Sequence, residues 1–410
     1  MMKGSYTILW VLVVIAWGCG NDHCIPEQLD PIEEEDPLQS FDVKLFIENS
    51  GSMYGYVDGS HDFKNALYGY MSDIKAAGIA ENICLNFINS QIINQGNDVS
   101  AFFDMLNSSK VFQKSGGSKK STDIAEVLKM VVNDLDSNNV AMVVSDFIFS
   151  PGSGKNAVEY LKDQRIKIKN TFVDYLKAHP KSGVMFFQFS SKFTGTFYDR
   201  ENRKTQLKDT ERPFYLLVFG NKSALKTIRA KVPETNIKDG SGVNNYFIAE
   251  NNFSAPKYYV QRRSGDFGFY KHRGCDTKHS IIDAKKGRDG NLTFAVNVDF
   301  TQTILDNEYI SNSDNYFLSD KNFSLTVNNK KDGNFILNLS SPIVVKTTLS
   351  IKLAKKIPTW IEQFNDDDGL DVEAGISKTY GLKTIVEGIA EAFNFKSDSY
   401  YTELEININK

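Results

Sequence analysis

The chain has 410 residues, room for two ordinary domains by a soft prior of roughly 100–200 residues each. Hydrophobic residues make up 41% and charged residues 24%, which fits a folded chain and excludes a disordered one. A formal net charge of −4 offers no basic excess of the kind a nucleic-acid partner selects, so no nucleic acid is expected.

The first element is a targeting segment. Lys3 supplies a positive start, and Ile8–Trp17 is an unbroken run of ten apolar residues. That run is too short to span a bilayer as a helix and fits the core of a signal peptide. It ends Ile15-Ala-Trp-Gly-Cys19, which resembles a bacterial lipoprotein signal. The resemblance implies removal of residues 1–18, lipidation of Cys19 and a membrane-anchored protein of the bacterial cell envelope. Ordinary secretion with cleavage nearby is the alternative. Gly20, and not Asp, follows the cysteine, and the same resemblance then implies outer-membrane sorting. Residues 19–40 read as a tether. Six acids and three prolines crowd positions 24–40 without a Lys or Arg, so the stretch has little apolar surface to bury. Cys24, Cys84 and Cys275 remain, an odd number that leaves room for one disulfide of unassigned pairing. Cys84 sits in an apolar strand pattern and reads as a small buried hydrophobe.

From Phe41 to about Val232, strands and helices alternate. Strand-like runs are Val43–Ile47, Asn82–Asn89, Val140–Ser145, Gly183–Phe189 and Phe214–Phe219. Between them lie helical patterns at Asp62–Ala77, Val99–Asn107, Asp123–Leu135, Lys155–Lys177 and Ser223–Lys231. This alternation predicts an α/β fold, Rossmann-like, with a mostly parallel sheet and helices on both faces. Ligands of such sheets bind beyond the carboxyl ends of the strands.

After Val232 the helices give way to short alternating runs. These are Tyr246–Ala249, Tyr258–Gln261, Leu292–Val298, Phe323–Val327, Phe335–Leu339 and Val344–Leu353, with turn signals at Asp289-Gly290 and Asp332-Gly333. Residues 233–410 are therefore expected to form an antiparallel, sandwich-like β domain. One long amphipathic helix is expected at about 378–393, followed by a final strand, Tyr400–Ile408, that returns to the β domain's sheet.

Three pieces of the first part carry chemistry. Glu48-Asn-Ser50-Gly-Ser52 follows the first strand, Thr122 lies in the loop Gly116-Gly-Ser-Lys-Lys-Ser-Thr122-Asp123, and Asp146 closes Val140-Ala-Met-Val-Val-Ser-Asp146. Carboxylates and hydroxyls at strand ends suit a hard divalent cation. In order and spacing the pieces resemble a von Willebrand factor type A (vWA) domain with its metal-ion-dependent adhesion site (MIDAS), over about residues 41–232. The resemblance implies a Mg²⁺ ion, or Mn²⁺ or Ca²⁺, held by Glu48, Ser50, Ser52, Thr122 and Asp146. Glu48 stands where the family has Asp, and Phe147 stands where a Gly often follows Asp146.

A cation held mainly by hydroxyls stays under-neutralised, so an acidic residue of a partner protein can complete its shell. Tyr54, Tyr56 and Asp58 follow on the same loop and suit a partner-binding rim; the tyrosines could equally pack on the next helix. The expected function is non-enzymatic, metal-mediated protein binding or adhesion by a lipid-anchored protein. A metal-independent scaffold with a degenerate site is the main alternative, and a metal-dependent phosphate-ester hydrolase a lesser one. Other motifs are weaker. Pro151-Gly-Ser-Gly-Lys155 lacks full phosphate-loop spacing and reads as a turn before a helix. Asn365-Asp-Asp-Asp368-Gly369 lacks the first acid of a calcium loop and reads as a solvated turn. His179 precedes Pro180 at a helix end, where histidine commonly caps carbonyls.

Overall fold

The structure is a computed structural model that describes residues 40–118, 123–237, 242–261, 278–331 and 333–410. Seven strands build its main sheet: β1 (Asp42–Glu48), β2 (Ile83–Ile88), β3 (Ile92–Asn94), β4 (Asn139–Ser145), β5 (Ser182–Tyr198), β6 (Lys204–Asn221) and β7 (Asn245–Glu250). Their order across the sheet is β3-β2-β1-β4-β6-β5-β7. β1 pairs in parallel with β2 and β4, placing Val43 between Ile83 and Val140. Every residue of β4 is buried, as its continuous apolar run demands of a central strand covered on both faces. Outward from this parallel centre every pairing is antiparallel: β2 with β3, β4 with β6, β6 with β5, and β5 with β7. The sheet is therefore mixed, with β5 running alongside the central three and β3, β6 and β7 running against them.

Helices follow the expected segments. α1 (Tyr54–Val57) is a single turn, and α2 (Asp62–Ala77) buries Phe63, Leu67, Tyr70, Met71 and Ile74 along one face. α2 stops at Gly78, whose φ of 60° is the left-handed closing conformation that glycine adopts without strain. α3 (Val99–Met105) and α4 (Lys110–Lys114) follow. α5 (Ile124–Asn133), α6 (Ala157–Ala178) and α7 (Lys222–Lys231) are capped by the side chains of Asp123, Asn156 and Asn221, which accept from N–H groups of the first turn. α2 packs with α3 and α7, and α5 packs with α6.

Eight further strands among the described residues form two four-stranded sheets. β8 (Lys257–Val260), β10 (Leu292–Asp299), β12 (Ser324–Lys331) and β13 (Asn334–Ser341) lie in the order β12-β13-β10-β8, all antiparallel. β9 (Ser280–Ile281), β11 (Tyr316–Leu318), β14 (Thr347–Ala354) and β17 (Tyr400–Ile408) lie in the order β11-β14-β17-β9. Alternate residues of β13 and β14 are buried, the mark of strands with one covered face. β17 pairs with β14, so the last strand returns where it was expected.

Three features depart from the expectation. Tyr246–Ala249 belongs to β7 and extends the main sheet beside β5. Among the short helices α8 (Asn307–Ser311), α9 (Trp360–Phe364) and α10 (Val372–Ser377), α10 lies against β6. The long helix, α11 (Leu382–Ala392), packs on α6, where Arg165 pairs with Glu387 at 2.9 Å and Lys169 with Glu391 at 3.0 Å. Its first residues are taken up instead by β16 (Thr379–Tyr380), which pairs with β15 (Asn365–Asp366). The expected boundary after residue 232 is thus crossed by β7, α10 and α11. A hydrophobic face fixes that a segment must be covered, not by which neighbour.

Candidate functional site at the carboxyl ends of β1 and β4

β1 and β4 are parallel neighbours in register, Ile47 beside Val144, so the residues that leave their carboxyl ends meet. Glu48 and Asp146 are 2% and 1% exposed, and Ser50 is 6% exposed. Ser52 is half-buried. The Ser50 and Ser52 hydroxyls are 3.0 Å apart, and Ser52 lies close enough to the Asp146 carboxyl to draw its pKa down. The structure therefore brings Ser50, Ser52 and Asp146 together. Thr122 lies outside the described residues, as do Cys19, Cys24, Cys275 and the signal and tether segments.

Glu48 is engaged across the strands through one of its oxygens. Its carboxylate accepts the Ser145 hydroxyl of β4, and that hydroxyl accepts the Phe147 N–H at 2.8 Å. Asp146 is held through one oxygen, Oδ1, which accepts the Ile148 N–H at 3.4 Å. Its other oxygen, Oδ2, is buried with no hydrogen-bond partner among the described residues. Burial pushes the Asp146 pKa up, opposed by the nearby Arg212 guanidinium and then by Ser52.

An unpartnered buried carboxylate oxygen beside two hydroxyls is a donor set suited to a hard cation, and Asp146, Ser50 and Ser52 would be its ligands. Among the described residues, no group of three or more His, Cys, Asp or Glu is placed to hold a metal. Any ion here would depend on hydroxyls for most of its protein ligands.

Phe147 explains how the chain does without the expected glycine. Its φ is 51°, the left-handed region that costs a side-chain-bearing residue roughly 1–2 kcal/mol. The ring is wholly buried, with centroids 5.6 Å from Phe186 and 6.2 Å from Tyr215, so packing holds it in place.

The expected rim is corrected in part. Tyr56 does not reach the surface: it is wholly buried, with its ring against Phe63, Phe193 and Phe214 and its hydroxyl donating to Pro213 O at 2.5 Å. Burial drives its pKa far up. Tyr54 is half-buried, and Asp58 is exposed but accepts the Ser109 N–H at 2.8 Å and the Ser109 hydroxyl.

Two sets of residues that the sequence reading passed over complete the surroundings. Asn49, inside the motif, is fully buried. It donates to Ser115 Oγ at 2.5 Å and accepts from Asn89 at 2.8 Å, while Asn89 also donates to Gly116 O at 3.0 Å. These amides pin residues 115–116 to the end of β1. Arg212 is the other. It is 1% exposed, with its guanidinium 5.0 Å from the Phe193 ring and 4.5 Å from the Phe197 ring. A charged residue directly before Pro213 and the apolar run Phe214–Phe219 was the available signal.

The weaker motifs resolve simply. Gly152 and Gly154 both have φ of 81° in the turn before α6. Asp366 Oδ1 accepts the N–H groups of Asp368 and Gly369, closing a turn that is partly buried against Arg200 rather than freely solvated. The His179 N–H bonds to Tyr175 O at the end of α6, and its ring lies tilted against the Tyr175 ring with centroids 4.8 Å apart. Cys84 is a free thiol and half-buried rather than buried.

No protein-family model matches the chain, and comparisons with curated proteins and with solved structures return no match.

Proposed function

We propose that this protein is a lipid-anchored protein of the bacterial envelope whose vWA-like part, residues 41–232, binds a partner protein through a divalent cation. Ser50, Ser52 and Asp146 would hold the ion, with Thr122 completing the set and Glu48 kept beside it by Ser145. The observation that carries this reading is Asp146 Oδ2, a buried carboxylate oxygen with no hydrogen-bond partner among the described residues, next to a hydroxyl pair. Such an oxygen is costly unless something positive meets it. Ser52 and Gly51 are the half-buried members of the site, and a partner's acidic residue would approach over them. The two four-stranded sheets are read as a sandwich-like unit that serves as a spacer or second binding surface. Anchoring rests on the leader before Cys19; among the described residues no helix is long and apolar enough to cross a membrane.

A second reading is a metal-independent scaffold. It is favoured by Arg212, whose charge already acts on Asp146, and by the engagement of Glu48 with Ser145. Isothermal titration with Mg²⁺ and Mn²⁺ on the wild type, Ser50→Ala and Asp146→Ala separates the two. Heat in the wild type that both substitutions abolish supports the cation site; equal heats from all three proteins remove it.

A further inference from the structure

Arg212 is the largest fully buried side chain among the described residues. β6 places it: Ser145, the last residue of β4, is in register with Tyr215, and Arg212 lies three positions earlier in β6, beyond the end of β4 where Asp146 emerges. One guanidinium nitrogen, Nη2, donates to Gly375 O of α10 at 3.4 Å. Nε and Nη1 are buried with no hydrogen-bond partner among the described residues. Phe193 and Phe197 flank the cation. Asp146 and Arg212 thus each keep buried polar atoms unpartnered among the described residues, and Arg212 acts on Asp146 electrostatically without a direct hydrogen bond or an ion pair within 4.0 Å between them. Both also act electrostatically on Tyr56 and Tyr215, so the four groups share one low-dielectric surrounding.

A buried guanidinium cannot shed its proton, so its desolvation must be met by a negative partner. Asp146 is the buried carboxylate whose charge it feels. We propose that Arg212 is the resident counter-cation of Asp146, and that a divalent ion enters the β1–β4 site against its repulsion. This rests on the cation reading above and adds its regulation. The site is set to bind weakly, and occupancy presses on Arg212, which is tied through Gly375 to α10. Movement of α10 would therefore change cation affinity, and cation binding would change the hold on α10.

The test uses the full chain and Mn²⁺ as the probe. Titration is compared for the wild type, Arg212→Met and Arg212→Lys, with denaturant unfolding of Arg212→Met, Asp146→Asn and the double variant. Removing one like charge from a buried site is expected to tighten Mn²⁺ binding by about tenfold or more in Arg212→Met, with Arg212→Lys near the wild type. In unfolding, each single variant is expected to lose stability and the double variant to recover part of the loss, because each leaves the other's charge unmatched. Equal Mn²⁺ affinity in the wild type and a folded Arg212→Met overturns the proposed competition. If no variant binds Mn²⁺, the cation reading fails, and the competition with it. The counter-cation pairing is then decided by the unfolding cycle alone: strict additivity overturns it and recovery upholds it. Should Arg212→Met not fold, a folded double variant counts as recovery, and an unfolded double variant overturns the pairing.

Discussion

Ser145 and Glu48 are joined across the β1–β4 ladder by a hydrogen bond from hydroxyl to carboxylate, deep inside the protein. The extra methylene that sets Glu48 apart from aspartate is what carries its carboxylate to the neighbouring strand. Glu48→Asp shortens that reach and leaves the Ser145 hydroxyl with the Phe147 N–H alone. Losing a buried hydrogen bond to a charged acceptor is expected to lower stability by about 1.5–3 kcal/mol, read by urea unfolding. The same change frees a carboxylate toward Ser50 and Ser52, so tighter Mn²⁺ binding is expected in titration. Unchanged stability would show that Ser145 does not hold Glu48.

Phe147 sets two effects against each other. Phe147→Gly relieves about 1–2 kcal/mol of left-handed strain, but it empties the space of a fully buried ring. Removing a buried Phe side chain costs about 3–5 kcal/mol, so a net loss of about 1–4 kcal/mol is expected by denaturant unfolding. A stabilised glycine variant would mean that the ring contributes little packing.

How far the sequence could be read follows from these residues. β1, β2 and β4 and the helices between them were legible because strands buried on both faces are continuous apolar runs, and helices repeat every 3.6 residues. The meeting of Ser50, Ser52 and Asp146 followed from parallel strands ending at the same edge. The engagement of Glu48 was not legible, since its acceptor role depends on Ser145 lying opposite, a matter of register. Tyr56 stayed open between rim and core because an amphipathic ring after a polar motif suits both equally; its packing on Phe63 of α2 is the second of the two. The long arms of β5 and β6 were missed beyond their apolar centres. Residues 190–198 and 204–212 are polar enough to pass for loop, and their pairing with each other makes them strand.

Glu250 gives the stability a pH dependence of defined sign. It is buried at the end of β7, 3.4 Å from the Lys222 ammonium, and accepts the Thr303 hydroxyl. Burial pushes its pKa above the ordinary value, and Lys222 and Thr303 only partly offset this. A carboxyl with a raised folded pKa holds its proton more tightly when folded. Its contribution to stability is therefore full below the ordinary value and is lost as pH rises through the raised one. Asp146 acts with the same sign. Glu250→Gln cannot titrate, so the stability of the wild type relative to this variant should fall as pH rises from 4.5 toward neutrality. The slope is at most about 1.4 kcal/mol per pH unit. Unfolding both proteins across that range measures it, and a flat or rising difference contradicts the assignment.

The α6–α11 contact sets shape against charge. A Cβ at Gly388 would lie 3.0 Å from Arg165 O and from the Ile168 side chain, so glycine lets the two helices approach. The ion pairs beside it, Arg165 with Glu387 and Lys169 with Glu391, are a quarter to nearly half exposed, and each such pair contributes about 0–1 kcal/mol. Gly388→Val overfills the contact and is expected to cost about 1–3 kcal/mol. Arg165→Met should cost no more than about 1 kcal/mol. Because β7 is a strand of the main sheet and α11 packs on α6, urea should unfold the chain in one transition, and Gly388→Val should shift the whole of it. Two transitions, only the later residues' signal moving in Gly388→Val, would mean that α11 belongs to an independently folding unit. Equal effects from the two substitutions would instead assign the docking of α11 to charge.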